Sequence, residues 1–329
     1  MKITVLGQGV WGFCLARLLA KNGHTISAWS RDPKILALLR AGKNHPHLPV
    51  SARNLDITFY ENIQEALLGA ELIIESVTAG GIRSILQVLA ESPSSSTGLV
   101  LTSKGIDPID GKLLPTLARE ILGHSKVALL SGPSFASEVC NDLPTAVVIG
   151  SYDLSFAHEA ATAFASQTFR VYPNIDVDGV ALGGALKNVV AIACGISEGL
   201  KLGNGAKAAL MTRGLHEITR LAHARGYHMQ TIYGLSGMGD LFLTCSSNFS
   251  RNFRFGQLLA LGKSEQEAKQ EIDMVVEGAS TCHSAVRLAE AAHVDLPICS
   301  YVHEIISGHL SPKEAVSKLM QRMTKEEHL

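Results

Sequence analysis

Residues 2–12 read Lys2-Ile3-Thr4-Val5-Leu6-Gly7-Gln8-Gly9-Val10-Trp11-Gly12. Ile3, Val5 and Leu6 supply a buried strand, which runs directly into a Gly-x-Gly-x-x-Gly turn. A helical stripe follows in Cys14, Leu15, Leu18 and Leu19 and closes near Asn22-Gly23. The strand before and the helix after give this turn its meaning as a dinucleotide-binding element. Gly7 permits the tight turn, Gly9 lets backbone approach a pyrophosphate, and Gly12 lets the helix pack close to the strand. The first helical turn then offers unpaired N–H groups and a positive dipole end to phosphates.

The end of the second strand bears on which dinucleotide is bound. His24–Ser30 reads as that strand and leads into Arg31-Asp32-Pro33. NAD-binding versions of the element place a carboxylate at the strand end to hold the ribose hydroxyls. Here Ser30 stands in that place and Arg31 follows. A guanidinium pairs with a 2′-phosphate that a carboxylate would repel. NADP(H) is therefore the expected preference. NAD(H) stays open through Asp32, and so does the plainer reading of Arg31 and Asp32 as a solvated turn.

Strands and helices alternate through the first half. Further strands are expected at Ile57–Tyr60, Glu71–Val77, Gly98–Thr102, Val127–Leu130, Ala146–Ile149 and Thr168–Tyr172. Helical patterns at Ile63–Leu68, Ile82–Ala90 and Leu113–Leu122 lie between some of them. Such alternation gives a mostly parallel sheet covered on both faces, with ligands beyond the carboxyl ends of the strands. Three strand ends carry polar residues suited to that crevice: Ser76-Val77-Thr78, Thr102-Ser103-Lys104-Gly105 and Ser131-Gly132-Pro133-Ser134-Phe135-Ala136. Lys104 is either a cation for phosphate or substrate, or a surface lysine before a turn glycine.

From about Asp176 the patterns are helical only: Gly179–Gly199, Lys207–Arg225, Glu265–Ile272, Cys282–Ala292, Tyr301–Ser307 and Pro312–Met323. Lys187 and Asn188 interrupt the first of these, which is otherwise apolar. A buried lysine needs a partner or a lowered pKa, and a general base needs the latter. The alternative is a lysine that snorkels to the surface. Gly237-Met238-Gly239-Asp240 suggests a helix start or a turn where backbone approaches something, with Asp240 either a partner for Lys187 or substrate, or an N-cap. Arg251 and Asn252 offer a fork of donors suited to phosphate, to which Arg254 adds charge or nothing. Glu277, after Val275-Val276, fits a ribose or a nicotinamide amide, or a plain helix terminus.

The 329 residues are 46% hydrophobic with a net charge of −1, which favours two domains and argues against a general nucleic-acid binder. Six scattered cysteines, none in CxxC spacing, fit a reduced cytoplasmic protein. The run from Val180 to Ile196 comes nearest to a membrane span, but Lys187 and Asn188 break it, and no span is expected. His45 and His47 flank Pro46 in what reads as a solvated loop, and no metal site is expected.

These motifs together resemble the glycerol-3-phosphate dehydrogenase family, most closely its bacterial NAD(P)-dependent branch. The resemblance covers essentially the whole chain. It rests on Gly7–Gly12, Ser103-Lys104-Gly105, Ser131–Ala136, Ala185-Leu186-Lys187-Asn188, Gly237–Leu241 and Ser250-Arg251-Asn252, in family order and spacing. It implies an α/β fold, an N-terminal Rossmann-type mostly parallel sheet with a C-terminal all-helical domain. Residues 1–175 would bind the dinucleotide, and 176–329 would bind substrate and carry catalysis. It implies cofactor positions at Gly7, Gly9, Val10, Trp11, Gly12, Arg31, Ala136, Val275 and Glu277, with Lys104 and Arg251 shared with substrate. Lys187 matches the family's proton acceptor, and Asn188, Asp240 and Lys104 complete the expected catalytic group. Gly132, Ser134, Lys187, Asp240, Ser250, Arg251 and Asn252 fall at substrate positions. The reaction implied is NAD(P)H-dependent reduction of dihydroxyacetone phosphate to sn-glycerol 3-phosphate, a phospholipid precursor, by a cytoplasmic homodimer. Val10 stands where relatives often carry a small residue such as Ser, so the resemblance implies backbone contacts there and carries over no side-chain hydrogen bond. A two-domain hydroxy-acid dehydrogenase and a non-catalytic NAD(P)H sensor are the rival readings.

Overall fold

The computed structural model describes residues 1–323, so the last six residues of the expected second domain lie outside the described residues. Eight strands form one sheet: β1 (Lys2–Leu6), β2 (Thr25–Trp29), β3 (Ile57–Tyr60), β4 (Leu72–Glu75), β5 (Gly98–Leu101), β6 (Val127–Ser131), β7 (Thr145–Ser151) and β8 (Phe169–Asn174). Their spatial order is β3-β2-β1-β4-β5-β6-β7-β8. Every neighbouring pair is parallel except β6 and β7, where Leu130 faces Ile149 in antiparallel register. All eight expected strands are present, with ends shifted by a few residues. The order reverses at β1, which has β2 on one side and β4 on the other, and this opens a crevice beyond their carboxyl ends.

The helix Val10–Lys21 buries Phe13, Cys14, Leu15, Leu18 and Leu19. They pack with Ile3, Val5, Ile26, Ala28, Leu72, Ile74 and Val100 on one face of the sheet. That face is also covered by the helix Leu154–Phe164, which hydropathy does not reveal. Its stripe is built largely from Ala157, Ala160, Ala161 and Ala163, which barely stand out from the background. The legible signal is its cap: the Asp153 carboxylate accepts from Ser155 N and Phe156 N.

The chain divides into two compact units, residues 1–184 with 227–240, and residues 185–226 with 241–329. The first contains the sheet. The second is helical, with Asn204–Ala224, Arg251–Ala260, Glu265–Ile272, Glu277–Ala291, Pro297–Ile306 and Pro312–Met320 among its elements. The division falls within the helix Val177–Gly199. Contrary to the expectation from sequence, this helix is long and apolar enough to cross a membrane; its most apolar window is 100% buried, as in a core helix. Lys187 and Asn188 interrupt the run without lowering its mean hydropathy below that of a span.

Within the second unit this helix meets Arg251–Ala260 backbone to backbone. A Cβ at Gly195 would lie 1.9 Å from Phe253 O, and one at Gly256 would lie 2.1 Å from Ile192 O. Any side chain at either position separates the two helices. Glu217, buried on Asn204–Ala224, closes another helix end: its carboxylate accepts from Ile298 N at 2.6 Å and Cys299 N at 3.3 Å. The helix Pro297–Ile306 has no side-chain cap of its own. Burial pushes the Glu217 pKa up to about 7.

Candidate active site

The dinucleotide turn has the geometry its glycines demand. Gly7 sits at φ 105°, and a Cβ there would be 2.4 Å from Ser76 O. One at Gly12 would be 2.0 Å from Gly7 O. Gly9 differs: it is exposed, and a Cβ there would meet nothing within 4 Å. Space is therefore open where a pyrophosphate has to approach. The helix that starts at Val10 has no side-chain cap and no acidic residue in its first turn, so its leading N–H groups and dipole face that space. Val10 and Trp11 pack partly against the core from this turn. These features fit a bound dinucleotide.

The turn is braced from below by His45. The sequence reading of a solvated loop fails for this residue, which is 2% exposed and stacked on Phe13 with ring centroids 5.2 Å apart. Its Nδ1 accepts from His47 N at 3.2 Å, which fixes the neutral tautomer with Nε2–H donating to Gln8 O at 3.3 Å. Burial lowers its pKa from the ordinary histidine value. The apolar Phe13 face nearby is the reason a loop histidine becomes buried here.

At the end of β2, Arg31 is exposed. Asp32 is engaged elsewhere: it is the N-cap of Pro33–Arg40, accepting from Lys34 N at 2.9 Å, and its own N–H donates to Ser30 Oγ. Of the two, Arg31 is the one whose side chain is left for a ribose substituent.

Within the first unit, the ends of β5 and β6 bring Lys104, Gly132, Ser134 and Asp240 together. Lys104 Nζ donates to Asp240 Oδ2 at 2.6 Å and reaches Gly132 O at 3.4 Å, while Ser134 Oγ donates to the same carbonyl at 3.1 Å. The Lys104 side chain is 16% exposed and that of Asp240 2%, so this is no surface lysine. Asp240 follows the π-helical turn Leu235–Gly239, in which a Cβ at Gly237 would lie 2.0 Å from Ile232 O. Ala136 opens the short helix Ala136–Cys140, and its carbonyl accepts from Cys14 Sγ on the helix of the dinucleotide turn.

Within the second unit, Lys187 is 7% exposed and does not snorkel. Its Nζ donates to Thr244 Oγ1 at 2.8 Å. Asn188, the next residue, is 3% exposed. Ser250 caps the helix Arg251–Ala260, its Oγ accepting from Phe253 N. Arg251 NH1 donates to Val275 O at 2.8 Å, and Asn252 Oδ1 accepts from Gly278 N at 2.9 Å. These two bonds hold the helix start against Val275–Gly278, the segment that carries Glu277. The Asn252 acceptor is occupied by that bond, which leaves its NH2 group as the part able to donate to an anion. No acidic residue stands in this helix's first turn either.

Two residues receive no role from sequence alone. Thr244 is the hydroxyl that meets Lys187; the signal was its place four residues after Asp240, one helical turn on. Glu75 closes β4 and is 0% exposed, with its pKa pushed up by burial to about 7. The stretch Glu71–Val77 reads as a strand with apolar residues at its centre, and nothing in the pattern marks the Glu75 carboxyl as the group that ties two loops together.

Comparison with known proteins places these features in one family. Residues 2–157 match the model of the NAD-dependent glycerol-3-phosphate dehydrogenase N-terminus, and residues 176–317 that of the C-terminus. A glycerol-3-phosphate dehydrogenase (NAD(P)+) of Protochlamydia amoebophila is 49% identical over 331 residues, covering 100% of this chain and 99% of that protein. The protein of the same description from Chlamydia pneumoniae is 46% identical, covering 99% of each. The crystal structure of glycerol-3-phosphate dehydrogenase from Coxiella burnetii superposes with a TM-score of 0.92 at 36% identity, covering 98% of this chain and 99% of that one.

Proposed function

The chain belongs to the NAD-dependent glycerol-3-phosphate dehydrogenase family, and from that premise we propose how its own residues carry the reaction. It is an oxidoreductase using NAD or NADP on a small-molecule substrate, and the family favours a phosphorylated substrate over the hydroxy acid of the rival reading. The reaction is the reversible reduction of dihydroxyacetone phosphate to sn-glycerol 3-phosphate. When bound, the reduced dinucleotide supplies the hydride to the substrate's C2.

Lys187, as its ammonium, donates a proton to the oxygen that becomes the alkoxide; in reverse, the neutral amine accepts it. Thr244 fixes the direction of Nζ, and Asn188 orients a substrate oxygen. Arg251 and the Asn252 amide grip the phosphate at the start of their helix, whose dipole adds to the attraction, and Ser250 keeps that start in shape. Lys104, held by Asp240 beside Gly132 and Ser134, offers a second cation to substrate and cofactor. Gly7, Gly9, Val10, Trp11 and Gly12 present backbone to the pyrophosphate. Ala136, Val275 and Glu277 line the remaining cofactor positions, and Arg31 selects NADP(H) through the 2′-phosphate. Holding a remote phosphate fixes the reacting carbon, which is worth several kcal/mol of barrier on the scale of oriented reactions.

The observation that carries this reading is a lysine 7% exposed in an apolar helix, its Nζ on a threonine hydroxyl. Lys187→Ala is expected to lose about 10²–10⁴-fold in kcat while binding NADPH as before. The oxidation of NADPH with dihydroxyacetone phosphate, followed by absorbance, measures this. Activity within a few-fold of the unmodified protein sinks the assignment.

We also propose residues 1–175 as the dinucleotide-binding domain and 176–329 as the substrate domain, in a cytoplasmic homodimer that supplies phospholipid synthesis. The six cysteines are all buried thiols, which suits a reducing compartment. Light scattering checks the dimer; a mass of one chain at micromolar concentration rejects it.

A further inference from the structure

Glu75 lies at the carboxyl end of β4, between Leu6 of β1 and Leu101 of β5. Its Oε1 accepts from Val77 N at 2.6 Å and from Ser103 Oγ at 2.7 Å. The Ser103 hydroxyl also lies against the Val77 carbonyl. The Glu75 carbonyl accepts from Thr102 N at 3.0 Å and Thr102 Oγ1 at 2.9 Å. One residue thus ties the loop after β4 to the loop after β5 through both its side chain and its backbone.

Each loop leads to part of the site. The loop after β4 supports the dinucleotide turn: Ser76 O and Val77 Cγ1 stand where a Gly7 side chain would be, and Ser76 N donates to Leu6 O. The loop after β5 carries Lys104 directly after Ser103. Asp240 anchors the ammonium end of Lys104, and nothing in that ion pair fixes the backbone end. A fully buried carboxyl is expensive, and Oε2 has no hydrogen-bond partner among the described residues. An apolar residue would complete the strand at lower cost, so the loops' need for an acceptor explains the carboxyl better than packing does.

We propose that Glu75 is a positioning residue that sets the backbone of Lys104, through Ser103, in register with the dinucleotide turn, through Val77. This rests on the reading of Lys104 as a substrate-binding cation. Two separate arms follow. Ser103→Ala cuts the link to Lys104 and leaves Val77 held. Glu75→Leu cuts both links. Glu75→Gln keeps an acceptor oxygen for both donors.

Steady-state kinetics on the full chain, with NADPH dissociation constants from fluorescence, separate the arms. Ser103→Ala is expected to raise KM for dihydroxyacetone phosphate about tenfold and to leave the NADPH Kd within about twofold. Glu75→Leu is expected to raise both, and Glu75→Gln to restore both toward the unmodified values. The Ser103→Ala change added to Glu75→Leu is expected to raise KM no further, because the two act through one bond. A KM within about twofold in Ser103→Ala, or full additivity of the pair, overturns the proposal. Ser103→Ala decides the matter even where Glu75→Leu fails to fold. Lys104→Ala is the control. Unchanged KM in that variant rejects the reading of Lys104 itself, whereas a raised KM there with normal Ser103→Ala rejects the clamp alone.

Discussion

At the scale of single residues, members of the candidate site were legible wherever a polar group broke a pattern. Lys187 inside an apolar helix, and Lys104 at a strand end before a glycine, announced themselves in this way. Arg31 did so by replacing a carboxylate, and the structure leaves it exposed while Asp32 is spent on a helix cap. Arg31→Ala is therefore expected to lower the ratio of kcat/KM for NADPH over NADH by about tenfold, the size of one charge-assisted contact to phosphate. An unchanged ratio places the 2′-phosphate elsewhere. What stayed hidden were residues whose meaning comes only from burial. His45 sits in a stretch that looks solvated and Glu75 closes an expected strand, and the partners that give them their roles (Phe13 and Gln8, Ser103 and Val77) are distant in sequence or apolar.

At the scale of elements, the central strands were legible because buried strands of a parallel sheet are continuous apolar runs bounded by turn residues, and the edge strands β3 and β8, only partly buried, because β-branched and aromatic residues recur in them. Helices were legible where large side chains marked one face. Leu154–Phe164 escaped through its alanines. Arg251–Ala260 escaped because Arg251, Asn252 and Arg254 dominate its start, although Ser250 gives the cap. Nor does sequence reveal the crossing of Val177–Gly199 with Arg251–Ala260, since glycine in a helix reads as weakness. Here it is contact. Gly195→Ala sets a methyl against Phe253 O, and the helices must part. The expected cost is about 2–4 kcal/mol of stability, in the range of severe overpacking, with the substrate KM raised because Arg251 and Asn252 start the displaced helix. Urea denaturation with kinetics on the same samples measures both; a loss below about 0.5 kcal/mol would show that the crossing yields.

At the scale of the whole molecule, two buried carboxyls set a pH dependence. Glu75 and Glu217 have folded pKa values raised to about 7 by burial, from an ordinary value of 4.5. Between those values the folded chain retains protons that the unfolded chain has released, so raising the pH favours unfolding. The stability they confer is complete below about pH 4.5 and is lost as pH rises through about 7. Glu217→Gln cannot titrate but still presents an oxygen to Ile298 N or Cys299 N. Its fall in Tm between about pH 5 and about pH 8 is expected to be smaller than that of the unmodified chain. Equal falls would mean that Glu217 does not keep its proton when folded.

The helix Val177–Gly199 has a consequence for how the chain is made. It leaves the ribosome before residues 251–260 exist, and at about 5–20 residues per second the wait lasts several seconds. During that time a segment of membrane-span length has no Phe253 or Gly256 to lie against, and it is open to any factor that sorts nascent chains by their hydrophobicity. One residue weighs against export: a lysine at the centre of a span raises the cost of insertion by about 2.5–3.5 kcal/mol. Lys187 is near that centre. The side chain proposed to move the proton is also the one that adds most to the cost of placing its helix in a bilayer while the rest of the protein is being synthesised.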